Sequence, residues 1–369
     1  MHFVCEKNVL AAALGIVQRA VATKSPLPAL KGVLLETEES GLVLSGTNLE
    51  FGIKCSLQAK IIEHGAVVLP AKLLTEFIRK MPDGMIDASS HSDNPLNINI
   101  ACGNIKFDLS GYPAEEFPKL AEASSDAARL AVEEGLLKEM FSQTEVAIAR
   151  DETRPILTGL LLETEANKLK LVATDGHRLA FRQAAYADNT ELKAVIPGKA
   201  IREVSKILED AQDKKVEICL DDTCVVFIMD GIVLSSRLVE GKYPPYQQII
   251  PTDFKTSVVA DAQALQAALE RAEIIVREGG NNLVLLQVDQ GITVIGASQD
   301  VGRVEDFVPA EVQGEPLEIR FNVRLLLDCF HNIKDQQVHL DFTGPYSPCM
   351  IRPFENHNYL HLVLPVRLS

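Results

Sequence analysis

The sequence predicts an α+β fold made of three tandem domains of one kind, each built from β-sheets and two helices. Three observations predict it. A run of residues in the first third recurs in the middle third at a constant offset, a weaker copy follows in the last third, and the copies share one order of strands and helices. Repeats of this length indicate whole domains and not solenoid units. The predicted domains are residues 1–127, 128–255 and 256–369.

The repeat is clearest between the first and middle thirds. Three segments reappear 127 residues later: 28–38 as 155–165, 42–48 as 169–175, and 68–74 as 195–201. The last third is more divergent, and its residues 292–298 align with 168–174 at an offset of 124. Three matches at one offset without drift indicate duplication of a folded unit.

Each repeat is predicted to begin with a short strand and an amphipathic helix, to continue with alternating strands, and to contain a second helix before its last strands. Apolar residues at helical spacing predict the helices Val9–Val21, Ala71–Met81, Leu136–Ala149, Lys199–Leu208, Leu265–Val276 and Val323–Ile333. Alternation of apolar and polar residues predicts strands such as Gly32–Glu38, Leu42–Thr47, Thr223–Met229 and Ile232–Leu238.

A hairpin is predicted at the centre of the chain. Residues 169–173 alternate between apolar and polar, and Asp175-Gly176 forms a tight turn, because glycine adopts positive φ without steric cost. His177 and Arg178 then lie at the mouth of the hairpin. A hydrolase using Asp175 and His177 is one hypothesis, but no Ser or Cys nucleophile lies beside the base, and two residues are too few for a metal site. We therefore predict no catalytic residue and no metal site.

The composition is that of a soluble globular chain, with a net charge of −15, 47% hydrophobic residues and no apolar run long enough to span a membrane. Tryptophan is absent and only 5% of residues are aromatic, so the cores are predicted to consist of Leu, Val, Ile and Ala. Seven cysteines without CxxC spacing favour reduced, buried thiols in a cytoplasm. So acidic a chain does not coat nucleic acid with its whole surface, although it can carry one basic face.

The helices do not share the acidity of the chain. Segments 6–24, 71–81 and 199–208 each sum to +2, whereas acidic residues collect at strand ends and in loops. One interpretation is that amphipathic helices place Lys and Arg on solvated faces. Because equivalent helices carry the same bias, we favour a common basic lining that contacts phosphates without reading bases. The predicted DNA-facing residues are Lys24, Arg79, Lys80, Arg150, Lys199, Arg202 and Lys206.

Three motifs carry a resemblance to a known family. The runs Ala173–Leu179 (ATDGHRL), Leu238–Tyr246 (LVEGKYPPY) and Leu364–Leu368 (LPVRL), together with the triplication, are similar to the bacterial sliding clamps, the β subunits of DNA polymerase III. The similarity covers the whole chain. It implies a head-to-tail homodimer whose six domains form a ring around duplex DNA, with helices inside and sheets outside. It also implies a processivity factor with no enzymatic activity and no cofactor.

The resemblance further implies partners and the residues that bind them. The partners are a second copy, double-stranded DNA of any sequence, the clamp-loader complex, the DNA polymerase III α subunit, other DNA polymerases, and mismatch-repair and ligase-type peptides. The implied location is cytoplasmic and nucleoid-associated, with no membrane contact. The ring joint is implied to consist of Phe77, Ile78, Phe107 and Leu109 on one protomer and Ile274 and Ile275 on the next.

Partner peptides are implied to dock in one hydrophobic pocket per protomer, with His177 and Arg178 as hydrogen-bond donors at its rim. We call this set the partner pocket: Leu157, Thr174, Gly176, His177, Arg178, Leu179, Pro244, Ile249, Asn322, Tyr346, Pro348, Leu364, Pro365, Val366, Arg367 and Leu368. Leu364, Gln248 and the extra terminal Ser369 depart from the pattern of many members and affect the details of peptide preference.

Two other classes of protein remain as alternatives. An enzyme requires a nucleophile or a further ligand near the hairpin. An acidic protein-binding scaffold would never contact DNA, and it would not be retained on circular DNA.

Overall fold

The computed structural model describes residues 1–187 and 191–367. These residues form an α+β fold, as predicted, with six α-helices: α1 (Lys7–Val17), α2 (Ala71–Lys80), α3 (Glu134–Thr144), α4 (Gly198–Ile207), α5 (Ala262–Glu278) and α6 (Val323–Phe330). One helix lies on each predicted helical segment. The first is shorter than its apolar pattern, because Gln18–Ala20 tighten into a 3-10 turn.

The strands pair antiparallel throughout the described ranges. The first third contains β1 (His2–Glu6), β2 (Gly32–Glu38), β3 (Gly41–Thr47), β4 (Phe51–Leu57), β5 (Lys60–Glu63), β6 (Ala66–Pro70), β7 (Met85–Ser90), β8 (Asn97–Cys102) and β9 (Ile105–Ser110). The middle third contains β10 (Ala128–Glu133), β11 (Gly159–Glu165), β12 (Lys168–Thr174), β13 (Arg178–Ala185), β14 (Leu192–Pro197), β15 (Lys215–Leu220), β16 (Cys224–Met229) and β17 (Ile232–Arg237). The last third contains β18 (Thr256–Asp261), β19 (Leu283–Val288), β20 (Gly291–Ser298), β21 (Gly302–Gly314), β22 (Leu317–Asn322), β23 (Gln337–Phe342), β24 (Cys349–Pro353) and β25 (Tyr359–Val363).

One compact unit consists of residues 1–136 and 202–238. It holds a five-stranded sheet in the order β5-β1-β7-β8-β9 and an eight-stranded sheet in the order β10-β15-β16-β17-β4-β3-β2-β6. The larger sheet joins the first and middle thirds where β17 pairs with β4. α1 and α2 contact each other. Their apolar faces are buried, with Leu10 and Leu14 on α1 and Leu74 and Ile78 on α2.

The second compact unit consists of residues 137–201 and 239–369, apart from the positions outside the described ranges. Its strands form one twelve-stranded sheet in the order β14-β11-β12-β13-β25-β24-β23-β18-β21-β20-β19-β22. This sheet joins the middle and last thirds where β13 pairs with β25. α5 packs against α6 and against β20 and β21, with Leu265 and Leu269 of α5 in the core.

The two units cut across the predicted repeats, because the middle third contributes strands to both large sheets. The limits of the two compact units follow the continuous sheets, whereas the limits of the three repeats follow the duplicated sequence. The boundaries near 127 and 255 remain a prediction about the repeat.

The cysteines of the chain are unpaired thiols in its interior. All seven cysteines are free and buried, as predicted. Burial raises the pKa of Cys5 to about 12 and that of Cys55 to about 11, so both remain protonated thiols near neutral pH.

Within the described ranges, no helix is both long and apolar enough to cross a membrane.

Candidate functional site

The turn of the central hairpin is fixed by short-range hydrogen bonds. Gly176 has a φ of +88°, the left-handed conformation that its position in the turn requires. The Asp175 Oδ1 accepts the backbone N–H groups of His177 (2.9 Å) and Arg178 (3.0 Å). The Thr174 hydroxyl donates to the carbonyl of Arg178 at 2.6 Å. The hairpin therefore presents His177 from a rigid turn, with its side chain exposed.

Arg178 connects the hairpin to α6. Its side chain is only 9% exposed. The Nε donates to Oδ2 of Asp175 at 3.0 Å, and Nη1 donates to Oδ2 of Asp328 on α6 at 2.6 Å. Burial lowers the pKa of Arg178, but the bond to Asp328 and the charge of Asp175 outweigh it and raise that pKa. Nε and Nη1 are thus used in holding the hairpin to α6, and the role of Arg178 as a donor at the rim stays a prediction.

The same bonds weigh against the catalytic hypothesis for the hairpin. One oxygen of Asp175 accepts two backbone N–H groups, and the other accepts Arg178. The carboxylate thus holds the turn and binds Arg178, and among the described residues it makes no bond to the His177 ring that would orient it as the acid of a catalytic pair does.

The segment after β25 continues from the hairpin toward β22. Its Leu364 N–H donates to the carbonyl of His177 at 2.9 Å, and its Val366 N–H donates to the carbonyl of Arg320 at 2.8 Å. The Leu364 and Val366 side chains are 39% and 36% exposed. The backbone of this segment therefore bridges the hairpin turn and β22 while two apolar side chains remain accessible, which is the arrangement that an anchor-binding surface needs.

An aromatic contact holds the end of this segment. The Arg367 guanidinium lies 5.7 Å from the centroid of the Tyr346 ring, and its Nη2 donates to the Tyr346 carbonyl at 3.5 Å. A cation over an exposed aromatic face is worth about 0.5–1 kcal/mol. Arg367 and Tyr346, two predicted members of the partner pocket, are thus in contact.

All described members of the partner pocket belong to the second compact unit. The buried members are Leu157, Thr174, Arg178 and Leu179; the half-buried ones are Asn322, Pro244, Pro348 and Pro365; the exposed ones are Gly176, His177, Ile249, Tyr346, Leu364, Val366 and Arg367. Leu368 and Ser369 lie outside the described residues. The loop that carries Pro244 and Ile249 is anchored by Tyr243 and Tyr246, which share a core cluster with Leu179.

A cleft of about 600 Å³ lies beside the partner pocket and shares His177, Arg178 and Asn322 with it. We call it the flank cleft. Its lining is Ile148, Ala149, Arg150, Asp151, Thr153, Arg154, Asp175, His177, Arg178, Glu273, Asn322, Arg324, Leu325, Leu327, Asp328 and His331. Sequence reasoning missed Arg154, Glu273, Arg324, Asp328 and His331. No local pattern marks them, because the cleft combines residues from the middle and last thirds.

The predicted DNA-facing residues are distributed over both units. Lys24, Arg79, Lys80, Arg150, Lys199 and Lys206 are exposed, and Arg202 is half-buried. Lys206 forms an ion pair with Glu203 at 2.7 Å. Arg150 lines the flank cleft. The role of these residues toward DNA stays a prediction.

The predicted ring-joint residues fall into two groups. The rings of Phe77 and Phe107 stack with centroids 4.5 Å apart, and Phe77 is 45% exposed. Ile78 and Leu109 are buried in the protomer's own core, which narrows the predicted surface of the first unit to the two phenylalanines. Ile274 is exposed and Ile275 is half-buried on α5.

Removing Arg178 is expected to destabilise the second unit. Arg178→Ala leaves two carboxylates without their partner, and we expect a loss of about 2–3 kcal/mol, since breaking a buried ion pair is costly even when one side is partly exposed. Thermal unfolding of Arg178→Ala, Asp328→Ala and the double variant measures the coupling. Arg324→Ala is the control, because its pair with Glu273 is longer, at 3.6 Å, and exposed, so we expect less than about 1 kcal/mol. Equal losses of stability in Arg178→Ala and Arg324→Ala would contradict the role of Arg178 as the residue that holds the hairpin to α6.

Comparison with known proteins adds family and structural relatives. Models of the DNA polymerase III beta subunit match in succession: the N-terminal domain at residues 1–121, the central domain at 131–245 and the C-terminal domain at 247–367. The beta sliding clamp of Bacillus subtilis is 32% identical over 380 residues, and that of Halalkalibacterium halodurans is 31% identical over 382 residues. Both alignments cover 100% of each chain.

Solved structures agree with these matches. The crystal structure of the DNA polymerase sliding clamp from Bacillus subtilis superposes with a TM-score of 0.95 at 30% identity. That of the sliding clamp from Pseudomonas aeruginosa bound to griselimycin superposes with a TM-score of 0.93 at 29% identity. Each superposition covers 100% of both chains.

Proposed function

Because this chain belongs to the DNA polymerase III beta subunit family, the bacterial sliding clamps, we propose that two copies close head to tail around duplex DNA and hold partner proteins there. As a member of that family it is a non-catalytic processivity factor with three tandem clamp domains. The observation that carries this function is the match over the full length of the chain at a TM-score of 0.95. The proposed domain limits are 1–127, 128–255 and 256–369.

Encirclement explains how an acidic chain can serve DNA. A closed ring is retained by topology, so its contacts with phosphates can stay weak and the ring can move along the duplex. Basic residues on the helices then need only offset the repulsion between DNA and a chain of net charge −15. The proposed lining is the set Lys24, Arg79, Lys80, Arg150, Lys199, Arg202 and Lys206, of which Arg150 also lines the flank cleft.

The partner pocket is the proposed docking site for the peptides of other replication proteins. Its support is the Leu364–Arg367 segment, which is bonded to the hairpin and leaves two apolar side chains accessible. The proposed partners are the clamp loader, the DNA polymerase III α subunit, other DNA polymerases, and mismatch-repair and ligase-type peptides. The proposed location is the cytoplasm, at the nucleoid, because the DNA and the proposed partners are found there.

The proposed function is tested by mass and topology together. The protein should sediment at twice its chain mass of 40.4 kDa at micromolar concentration. After loading by the clamp-loader complex it should remain on nicked circular DNA and slide off when the circle is linearised. A monomeric mass, or equal retention on circular and linear DNA, would leave an acidic protein-binding scaffold as the better account.

Charge reversal in the proposed lining is expected to weaken DNA retention without affecting dimerisation. In the variant, Arg79, Lys80, Lys199, Arg202 and Lys206 all become Glu. Removing one phosphate interaction should reduce the slope of log K against log salt by about 0.9. The control reverses five exposed lysines outside the α-helices, namely Lys60, Lys119, Lys168, Lys215 and Lys255, and so has the same net charge. If both variants retain DNA equally, these five basic residues do not contact DNA.

A further inference from the structure

We propose that one face of the sheet in the last third docks an arginine-bearing segment of a partner protein, at a groove separate from the partner pocket. This open groove of about 600 Å³ lies where β19 turns into β20. We call it the turn groove, and its lining is Gln287, Val288, Asp289, Gln290, Gly291, Thr293, Phe307, Pro316, Leu317 and Glu318. None of these residues belongs to the partner pocket, so the inference goes beyond the proposed function and does not rest on it.

The turn groove lies on the face of the sheet that α5 does not cover. Val308 of β21 belongs to the core that contains the buried residues of α5. Because side chains alternate between the two faces of a strand, Phe307 points to the opposite face. Phe307 is the cross-strand partner of Thr293, Thr293 that of Gln287, and Gln287 that of Glu318. Four residues of the groove thus form one row across β21, β20, β19 and β22.

Phe307 is the apolar feature of this face. It is 57% exposed, more than any other phenylalanine within the described ranges. Its ring lies over Gly291, since a Cβ added to that glycine would stand 2.7 Å from Cζ and 2.8 Å from Cε2 of the ring. The glycine therefore leaves room for the ring on the strand, with much of the ring open to solvent. An accessible aromatic face of this kind attracts a cation.

The charged side chains of the turn groove are both carboxylates. Asp289 and Glu318 are exposed, and the lining contains no Lys, Arg or His, so its charge sums to −2. Among the residues that the structure describes, neither carboxylate forms an ion pair. Glu318 accepts a hydrogen bond from the neutral amide of Gln287 at 2.6 Å, which leaves the negative charge uncompensated.

The surroundings of the turn groove do not reverse this sign. Residues 302–320 carry two arginines against five acids, which sums to −3. Arg303 is already paired with Glu305, at 2.8 Å. The other arginine of this segment, Arg320, and the neighbouring Lys255 do not line the groove. A phosphate backbone is repelled by a surface of this sign, so DNA is not the ligand of the groove.

An exposed aromatic ring beside unpaired carboxylates favours arginine as the ligand. A guanidinium is planar, stacks on an aromatic ring and binds a carboxylate through two parallel N–H···O bonds, whereas the lysine ammonium is compact and strongly hydrated. Phe307 and Glu318 are three strand spacings apart in the row, or about 14 Å. An extended segment covers this distance in about four residues. One arginine over Phe307 and a second at Glu318 therefore fit a protein segment better than a single small cation.

The test measures the binding of a labelled peptide that has two arginines separated by three Gly or Ser residues and no apolar residue. Matched peptides carry lysine or the neutral citrulline in place of both arginines. Fluorescence anisotropy at low salt should show the tightest binding for the arginine peptide, and binding about fivefold weaker for the citrulline peptide. The lysine peptide should lie between them, and the differences should shrink as salt rises. An unlabelled peptide with a Leu- and Phe-containing anchor for the partner pocket should not compete.

Three variants of this chain locate the binding. Phe307→Ser, Gly291→Ala and Asp289→Asn/Glu318→Gln should each weaken the binding of the arginine peptide about fivefold. Gly291→Ala is the sharpest of them, because it changes no charge and acts by displacing the Phe307 ring. Thermal melts check that each variant is folded.

Matched controls remove the same kinds of side chain elsewhere in the same unit. Phe354→Ser removes another exposed phenylalanine, and Asp253→Asn/Glu355→Gln neutralises two other exposed carboxylates. Both controls should bind the arginine peptide as the wild type does.

Four results would overturn the inference. Equal affinity for the arginine and citrulline peptides, or no binding of the arginine peptide at millimolar concentration, means that the groove does not select a guanidinium. Equal weakening in the groove variants and the controls means that a chain of net charge −15 attracts cations over its whole surface. A monomeric Phe307→Ser variant in sedimentation would assign Phe307 to a joint between two copies. Competition by the anchor peptide would place the arginine peptide in the partner pocket.

Discussion

Phe107→Asp is expected to leave the chain folded but monomeric, and to abolish its retention on circular DNA. Phe107 stacks on Phe77 with ring centroids 4.5 Å apart, and Phe77 is 45% exposed, so the pair is accessible to a second protomer. An Asp there loses a stacked pair worth about 1 kcal/mol and buries an unpaired carboxylate at a cost of several kcal/mol. A ring with two such joints is expected to weaken by more than about a hundredfold at each. Sedimentation and the circular-DNA assay measure both consequences.

Ile62→Asp is the matched control for this substitution. Ile62 is an exposed apolar residue of the five-stranded sheet to which the half-buried Phe107 also belongs, but it lies on β5, the edge opposite β9. The control should therefore remain dimeric and be retained on circular DNA. A dimeric Phe107→Asp variant, or a monomeric Ile62→Asp variant, would place the joint elsewhere than on β9 and α2.

Features determined by local sequence could be predicted. The helices follow from apolar spacing, and β2 has the predicted bounds because its apolar run Val33–Leu35 is buried and a turn follows Glu38. The hairpin follows from Asp175-Gly176, whose glycine adopts the positive φ that the turn needs. In each case the physical cause lies within a few residues of the effect.

Features determined by long-range contacts could not be predicted. Arg178 and Asp328 are 150 positions apart, and nothing near either residue indicates that they pair. Ile78 neighbours Phe77 in the chain and is predicted to share the ring joint with it, yet on α2 it points into the core with Leu74. Helical period predicts which residues share a face, but which of two apolar faces is covered by the protomer itself depends on the tertiary fold.

The repeat shows the same division between local and long-range information. Duplication predicts three similar domains, because each copy keeps its own strand and helix pattern. It does not predict that β17 pairs with β4 and β13 with β25, so that each large sheet extends across a repeat limit. The partner pocket depends on the second of these junctions, since the segment that follows β25 is bonded to His177 in the turn that precedes β13.

Deleting residues 364–369 is expected to abolish partner-peptide binding while the fold survives. The deletion removes the Leu364 and Val366 side chains, and losing a buried anchor typically costs about 2 kcal/mol, or about thirtyfold in affinity for each. It also removes the backbone bonds to His177 and Arg320. β25 itself stays paired with β13 and β24, so the core is retained and the melting temperature should fall by only a few degrees.

A second variant separates the anchors from the backbone bridge in this prediction. Leu364→Ser/Val366→Ser keeps the bonds of the segment to the hairpin and to β22 but removes the apolar surface. If binding depends on the anchors, it should lose nearly as much affinity as the deletion in fluorescence anisotropy with a labelled partner peptide. If the bridge matters more, because it fixes His177 beside the peptide, the double Ser variant should bind much better than the deletion. Equal affinity of the deletion and the intact protein would remove the C-terminal segment from the partner pocket altogether.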